Sequence, residues 1–194
     1  MRVFVAGASG AIGMQLLPVL SSAGHEVAGM TRTAEKASRI AQLGAEPVVC
    51  DVFDAAELTA AVVAFGADTV IHQLTSLPSD PAKIPEASAA NNRLRREGTR
   101  NLIAAARAAR ARRFLAQSVA FELPGDSGAA IVEHERAVLD AAGVVLRYGH
   151  FYGPGTYHEN GKAPPPAIHV ADAARRTVEA LDRESGVVTI VDPG

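Results

Sequence analysis

A chain of 194 residues holds one domain, or about one and a half at most. Its 19 Lys and Arg against 21 Asp and Glu leave a formal charge of −2, which excludes the basic excess of a dedicated nucleic-acid binder. Hydrophobic residues at 48% and charged residues at 21% exclude a disordered chain and supply one core. The lone cysteine, Cys50, excludes an intrachain disulfide and speaks against a cysteine zinc site. The histidines show no spacing that suits a metal. Apolar runs are too short for a membrane span. Met1 to Gly13 reads as a strand and turn, not a leader, so the expected compartment is the cytoplasm.

In chain order, β-branched runs alternate with alanine-rich helical stretches. The expected strands are Arg2–Ala6, His25–Met30, Glu46–Cys50, Thr69–His72, Arg113–Gln117, Val144–Arg147 and Val187–Val191. Most are continuous apolar runs, as in parallel strands covered on both faces. The first helix should follow Gly13 and carry a kink at Pro18. Asp54 and Glu57 form a capping box, Leu58, Ala61, Val62 and Phe65 continue at helical spacing, and Gly66 stops the helix. Pro85 suits the first turn of a long helix with a Leu94, Gly98, Leu102, Ala105 stripe. Gly24 and Gly143 close helices. Leu123–Gly128 and Gly153–Pro166 read as irregular. The expected architecture is α/β: a single Rossmann-like doubly wound parallel sheet of about seven strands over residues 1–194, ordered 3-2-1-4-5-6-7, with residues 149–168 as a substrate-side loop.

The sharpest signal is Gly7-Ala8-Ser9-Gly10-Ala11-Ile12-Gly13 between the first strand and the first helix. Spaced glycines permit a tight turn, close approach of backbone to a diphosphate and close helix packing. The helix N-terminus then offers N–H groups and a positive dipole to the phosphates. The second strand ends Met30-Thr31-Arg32, with no acid between Glu26 and Glu35 to hold a free ribose hydroxyl. Arg32 there suits a 2′-phosphate, with Thr31 or Ser9 adding hydroxyls, so NADP is favoured over NAD. Asp51, before Val52, suits either an adenine amino group or a turn. Leu74, Thr75 and Ser76 follow the fourth strand, at the carboxyl edge where ligands bind.

With these residues in place, the chain resembles the short-chain dehydrogenase/reductase superfamily, in its extended or atypical epimerase/dehydratase branch. Besides the glycine pattern, Arg96 to Leu102, Phe114 to Ser118, Leu146 to Gly155 and Ile168 to Ala174 match that branch. The resemblance implies that Gly7, Ser9, Gly10, Ile12, Gly13, Thr31, Arg32, Asp51, Val52, Leu74, Thr75, Gln117 and Tyr152 border the cofactor. It implies that Ser118 orients a substrate oxygen during hydride transfer on a small carbonyl, alcohol or sugar-type substrate. The family's Tyr-x-x-x-Lys pair is missing, because Val119 to Gly143 holds neither residue. Tyr157, with His158 and Lys162 nearby, is the candidate proton donor, whereas His134 is expected on a solvated helix face. The linker from Tyr157 to Ile168 is short, leaving little to enclose a sugar nucleotide. Loss of the proton donor, worth roughly 10²–10⁴-fold in rate, leaves open a catalytically silent NADP(H)-binding redox sensor. Eight arginines lie between Arg93 and Arg113 with Glu97 as the sole acid, and read as a solvated helix. The small-residue stretch Ala104 to Ala111 is compatible with a monomer or a homodimer. The expected partner is a small-molecule substrate, with neither nucleic acid nor membrane.

Overall fold

The computed structural model describes residues 1–78 and 80–193. Its strands and helices follow in the order β1 (Arg2–Ala6), α1 (Ala11–Ser22), β2 (Glu26–Thr31), α2 (Ala34–Gln42), β3 (Glu46–Val49), α3 (Ala55–Phe65), β4 (Thr69–His72), α4 (Ile84–Arg93), α5 (Thr99–Ala108), β5 (Arg113–Val119), α6 (Gly125–Asp140), β6 (Val144–Tyr148), β7 (His150–Tyr152), β8 (Ala167–His169), α7 (Val170–Glu179) and β9 (Gly186–Ile190). Seven strands form one sheet ordered β3-β2-β1-β4-β5-β6-β9, and every pairing is parallel. This is the expected doubly wound order, with the last strand filling the outer place. The short parallel pair β7 and β8 forms a second sheet that the sequence did not announce.

Side chains alternate along each strand, so each face of the sheet builds its own core. Val3 and Val5 pack with Leu16, Leu17 and Leu20 of α1 and Val170, Ala173 and Ala174 of α7. Phe4 and Ala6 face the other way, onto Leu58 and Val62 of α3 and Leu102 and Ala105 of α5. Each fully buried Leu contributes roughly 1.5–3 kcal/mol against exposure.

Local signals act as the spacing requires. Asp54 accepts a hydrogen bond from the Glu57 backbone N–H at 2.9 Å, and Gly66 closes α3 in the left-handed conformation. α1 runs through Pro18 without being divided. α6 begins at Gly125, inside the stretch expected to be irregular, and the left-handed residue at its end is Ala142 rather than Gly143. The long arginine-bearing helix is continuous but passes through a π-helical stretch, Leu94–Gly98, between α4 and α5. β1 lies between β2 and β4, so the order reverses there and opens a crevice at the carboxyl ends of the strands.

Candidate functional site

β1 runs into Gly7, whose φ is +92°. A Cβ there would lie 2.6 Å from the Gln73 carbonyl, so only glycine lets the turn lie against the chain leaving β4. Gly10 N–H donates to the Gly7 carbonyl at 3.1 Å. A Cβ on Gly13 would stand 2.3 Å from that same carbonyl oxygen. Gly10 is the N-cap of α1, no side chain caps the helix and no acid occupies its first turn. The first-turn N–H groups thereby lack a side-chain cap, and the positive end of the helix dipole has no acid beside it in that turn.

The surrounding strand ends complete a shallow cradle. Thr31 Oγ1 lies 3.3 Å from Ser9 Oγ, which ties the end of β2 to the glycine turn. Arg32 is exposed and enters no ion pair among the described residues. Asp51 accepts the Phe53 N–H at 2.9 Å, so one carboxylate oxygen serves the turn ahead of α3. Val52 is buried, and its carbonyl accepts from Asn101 Nδ2 at 2.9 Å. Gln73 N–H donates to the Ala6 carbonyl at 2.7 Å, and Gln117 Nε2 donates to the Leu74 carbonyl at 2.9 Å. Gly7, Ser9, Gly10, Thr31, Arg32, Leu74, Thr75 and Gln117 thus stand at or just beyond the carboxyl ends of β1, β2, β4 and β5, whereas Gly13 packs within α1 and Ile12 is buried in the core. Tyr152 is held otherwise: its hydroxyl donates to Asp192 at 3.0 Å, and its ring meets His169 edge-on.

Ser118 is buried at the end of β5, and its hydroxyl donates to Glu135 Oε1 at 2.6 Å. Arg147 of β6 grips the same carboxylate, Nε donating to Oε1 at 2.9 Å and the second nitrogen reaching Oε2 at 2.5 Å. Burial pushes the Glu135 pKa up, but the Arg147 and Ser118 hydrogen bonds outweigh it and hold the carboxyl below its ordinary range. Glu135 and Arg147 border a cavity of about 480 Å³ between the chain following β5, α6 and β9, walled also by Phe121, Leu123 and Ile131. Removing the carboxylate strands a buried serine and an arginine whose side chain is 43% exposed. Glu135→Ala is therefore expected to cost about 2–3 kcal/mol in urea unfolding, less than a fully buried pair because solvent screens Arg147. A loss below about 0.5 kcal/mol, within the scatter of ordinary surface substitutions, would contradict this.

His134 is not on a solvated face. It is buried beside Thr99 of α5, because Ala130, His134 and Val138 form the inward stripe of α6 at four-residue spacing. Its partners make a closed hydrogen-bond chain. The Leu74 N–H donates to His72 Nδ1 at 3.2 Å, so His72 carries its proton on Nε2 and donates to Thr99 Oγ1 at 3.2 Å. Thr99 donates to His134 Nδ1 at 2.7 Å, and His134 Nε2 donates to the Gln117 carbonyl at 2.9 Å. Burial drives the His72 pKa well below the ordinary histidine value, with His134 adding to the effect. Burial also lowers that of His134. Both rings link the backbone at Leu74 and Gln117, two cradle residues.

A family profile described as NAD(P)H-binding matches residues 7–148, from the first glycine to the end of β6. The chain belongs to this NAD(P)H-binding family. The resemblance to the short-chain dehydrogenase/reductase superfamily is borne out. A 3-diazoavenalumate denitrifying reductase of Streptomyces sp is 38% identical over 235 aligned residues, covering 99% of this chain and 76% of that protein. A quinoline-oxide ketoreductase of Stigmatella aurantiaca is 32% identical over 117 residues, covering 59% of this chain and 32% of that protein. Among solved structures, the Thermus thermophilus UDP-glucose 4-epimerase in complex with NAD superposes with a TM-score of 0.82 at 20% identity, covering 98% of this chain and 78% of that one. That likeness shows the shared fold.

This NAD(P)H-binding protein departs from its superfamily in its tyrosines. A proton-donating tyrosine needs a lowered pKa. Burial pushes Tyr148 up to about 12, although its hydroxyl is bonded to Thr177 and Gln73. The Asp192 carboxylate and burial raise Tyr152. Burial and the nearby Asp80 raise Tyr157, whose hydroxyl donates to the Pro78 carbonyl. Lys162, its neighbour in sequence, is not among the causes of that shift. Among the described residues, no helix is long and apolar enough to cross a membrane.

Proposed function

We propose that this protein is a nicotinamide-dependent reductase that takes NADPH in preference to NADH. The observation carrying this reading is the Gly7–Gly13 turn, built so that Cβ atoms at Gly7 or Gly13 would strike backbone, at the mouth of an uncapped helix. The N–H groups opening α1 hold the diphosphate. Arg32, with Thr31 and Ser9 behind it, takes the 2′-phosphate. Leu74, Thr75 and Gln117 border the ring end, and the bound cofactor supplies hydride to an acceptor beside it.

The raised pKa of all three tyrosines, none of them in a Tyr-x-x-x-Lys pair, supports an acceptor whose reduction needs no activated tyrosine. Reduction of a carbonyl leaves an alkoxide that demands a proton. A diazo group, as in the name of the 38% identical relative, makes no such demand when it is reduced as an aryl diazonium ion. Hydride adds to the outer nitrogen and cancels the positive charge. The resulting diazene releases N₂ as its hydrogen passes to carbon. In this reading Ser118 keeps its hydrogen on Glu135 and moves no proton. Ketones and sugar nucleotides are correspondingly poor substrates.

Titration with NADPH and NADH by calorimetry tests the first half. NADPH is expected to bind at least about tenfold tighter, and Arg32→Glu to abolish that difference by weakening NADPH alone. Equal losses for the two nucleotides would retire the Arg32 assignment. The second half is tested by following NADPH consumption and N₂ release with an aryl diazonium salt, against protein-free controls and a ketone panel. NADPH binding without turnover of any acceptor favours instead the redox sensor that the missing Tyr-x-x-x-Lys pair also allows.

A further inference from the structure

The arginine-rich helix contains a half-buried cation that no ion pair among the described residues neutralises. Arg93 donates to Glu97 at 2.7 Å, and Arg96 spans Asp126 and Glu133 of α6 at 2.7 and 2.9 Å. The nearby carboxylates are thereby taken. Arg95, between these two, is half-buried in the π-helical stretch, and its guanidinium makes no hydrogen bond or ion pair among the described residues. Burial lowers its pKa with no carboxylate opposing it. A half-buried guanidinium without a partner loses hydration and gains nothing in return.

Its neighbours along the helix locate it. Thr99, about one turn later, touches His72, the last residue of β4. Asn91, about one turn earlier, accepts the Ser76 N–H at 2.9 Å in the chain following β4. Helical side chains lean toward the helix N-terminus. Arg95 therefore projects toward the carboxyl ends of β4 and β5, on the side where Leu74 and Gln117 border the cradle. Farther out on this edge, Phe121 and His150 stack with ring centroids 3.9 Å apart and offer a flat aromatic wall.

We infer that Arg95 is a specificity-determining residue that binds the carboxylate of a planar, monoanionic substrate in the cleft beside the nucleotide. One unneutralised cation matches one carboxylate, and the guanidinium fork suits its two oxygens. A diphosphate would demand more positive charge than the cleft provides. The inference rests on the reductase reading above, which places the substrate at this edge.

Cinnamate and cinnamamide, equal in shape but different in charge, are the probes. Binding of each to the NADPH-loaded and nucleotide-free protein is measured by calorimetry. Cinnamate is expected to bind the loaded protein at least about tenfold tighter than cinnamamide. Arg95→Gln should erase that preference, and Arg95→Lys should retain part of it. NADPH affinity should stay within about threefold in both variants, which also reports that they fold. Equal affinities for acid and amide, a preference that survives Arg95→Gln, or binding of neither probe would overturn the inference while leaving the nucleotide assignment intact. Absence of NADPH binding to the unaltered protein would instead overturn the reductase reading.

Discussion

Gly13→Ala is expected to weaken NADPH binding on the order of 100-fold or more, equivalent to about 3 kcal/mol. The added Cβ would stand 2.3 Å from the Gly7 carbonyl oxygen and 2.6 Å from that of Ala8, both backbone atoms with no flexible end to retreat. Relief requires α1 to move away from the end of β1. Its first-turn N–H groups would then lose their aim at the diphosphate. Gly7→Ala should act alike, because it combines a 2.6 Å approach to Gln73 with a φ of +92°. Gly10→Ala is the informative contrast. Gly10 has φ −81°, and its Cβ would meet only the Gly7 carbonyl oxygen, at 3.4 Å. It should fold normally and bind better than the other two variants. Calorimetric titration, with circular dichroism as a check on folding, measures the series. NADPH affinity within about threefold of wild type for Gly13→Ala would remove the glycine turn from the nucleotide site, and the proposed function with it.

Acidification provides the second large effect. His72 and His134 are buried in one hydrogen-bond chain, and burial lowers both pKa values from the ordinary 6.5. A histidine depressed in the folded state binds its proton first in the unfolded chain. Its contribution is complete above the unfolded pKa and drains away as pH falls below it. Each histidine gives a slope of up to about 1.4 kcal/mol per pH unit, so the pair gives up to about 2.8. Unfolding free energy in urea should therefore fall steeply below about pH 6.5, well before most carboxylates titrate. Glu135 adds a loss of the same sign at lower pH, because its depressed pKa makes it stabilising only while ionised. His134→Gln should roughly halve the slope between about pH 6.5 and 5, whatever it does to stability at neutral pH. A slope unchanged by that substitution would show that the buried relay is not the acid-sensitive element.

Much of the fold was legible because its signals are local. The strands are apolar runs, and Asp54, Gly66 and Pro85 mark helix ends through their own backbone chemistry. The seven-stranded order followed from alternating strands and helices under the connection rules of parallel sheets. The glycine spacing likewise located the tight turn between β1 and α1 before any packing was known. The errors arose where two distant segments decide the outcome. His134 sits among Glu133, Glu135 and Arg136, and its immediate neighbours mark it as solvated. Only the approach of α6 to α5 shows that it shares an inward face with Ala130 and Val138. Tyr157 has Lys162 nearby in sequence, yet the folded chain carries its hydroxyl to Pro78 and sets it near Asp80.

By itself the sequence determined a parallel α/β sheet, a glycine turn suited to a diphosphate and the absence of a Tyr-x-x-x-Lys pair, because each depends on residue type at short spacing. Tertiary structure alone decided that Ser118 and Arg147 both bond Glu135, that two histidines are buried links beneath the crevice, and that Arg95 among eight arginines is half-buried with no side-chain partner among the described residues. Charge state and hydrogen-bond partnership depend on what solvent is excluded and which remote groups replace it, and that is set only when the layers close.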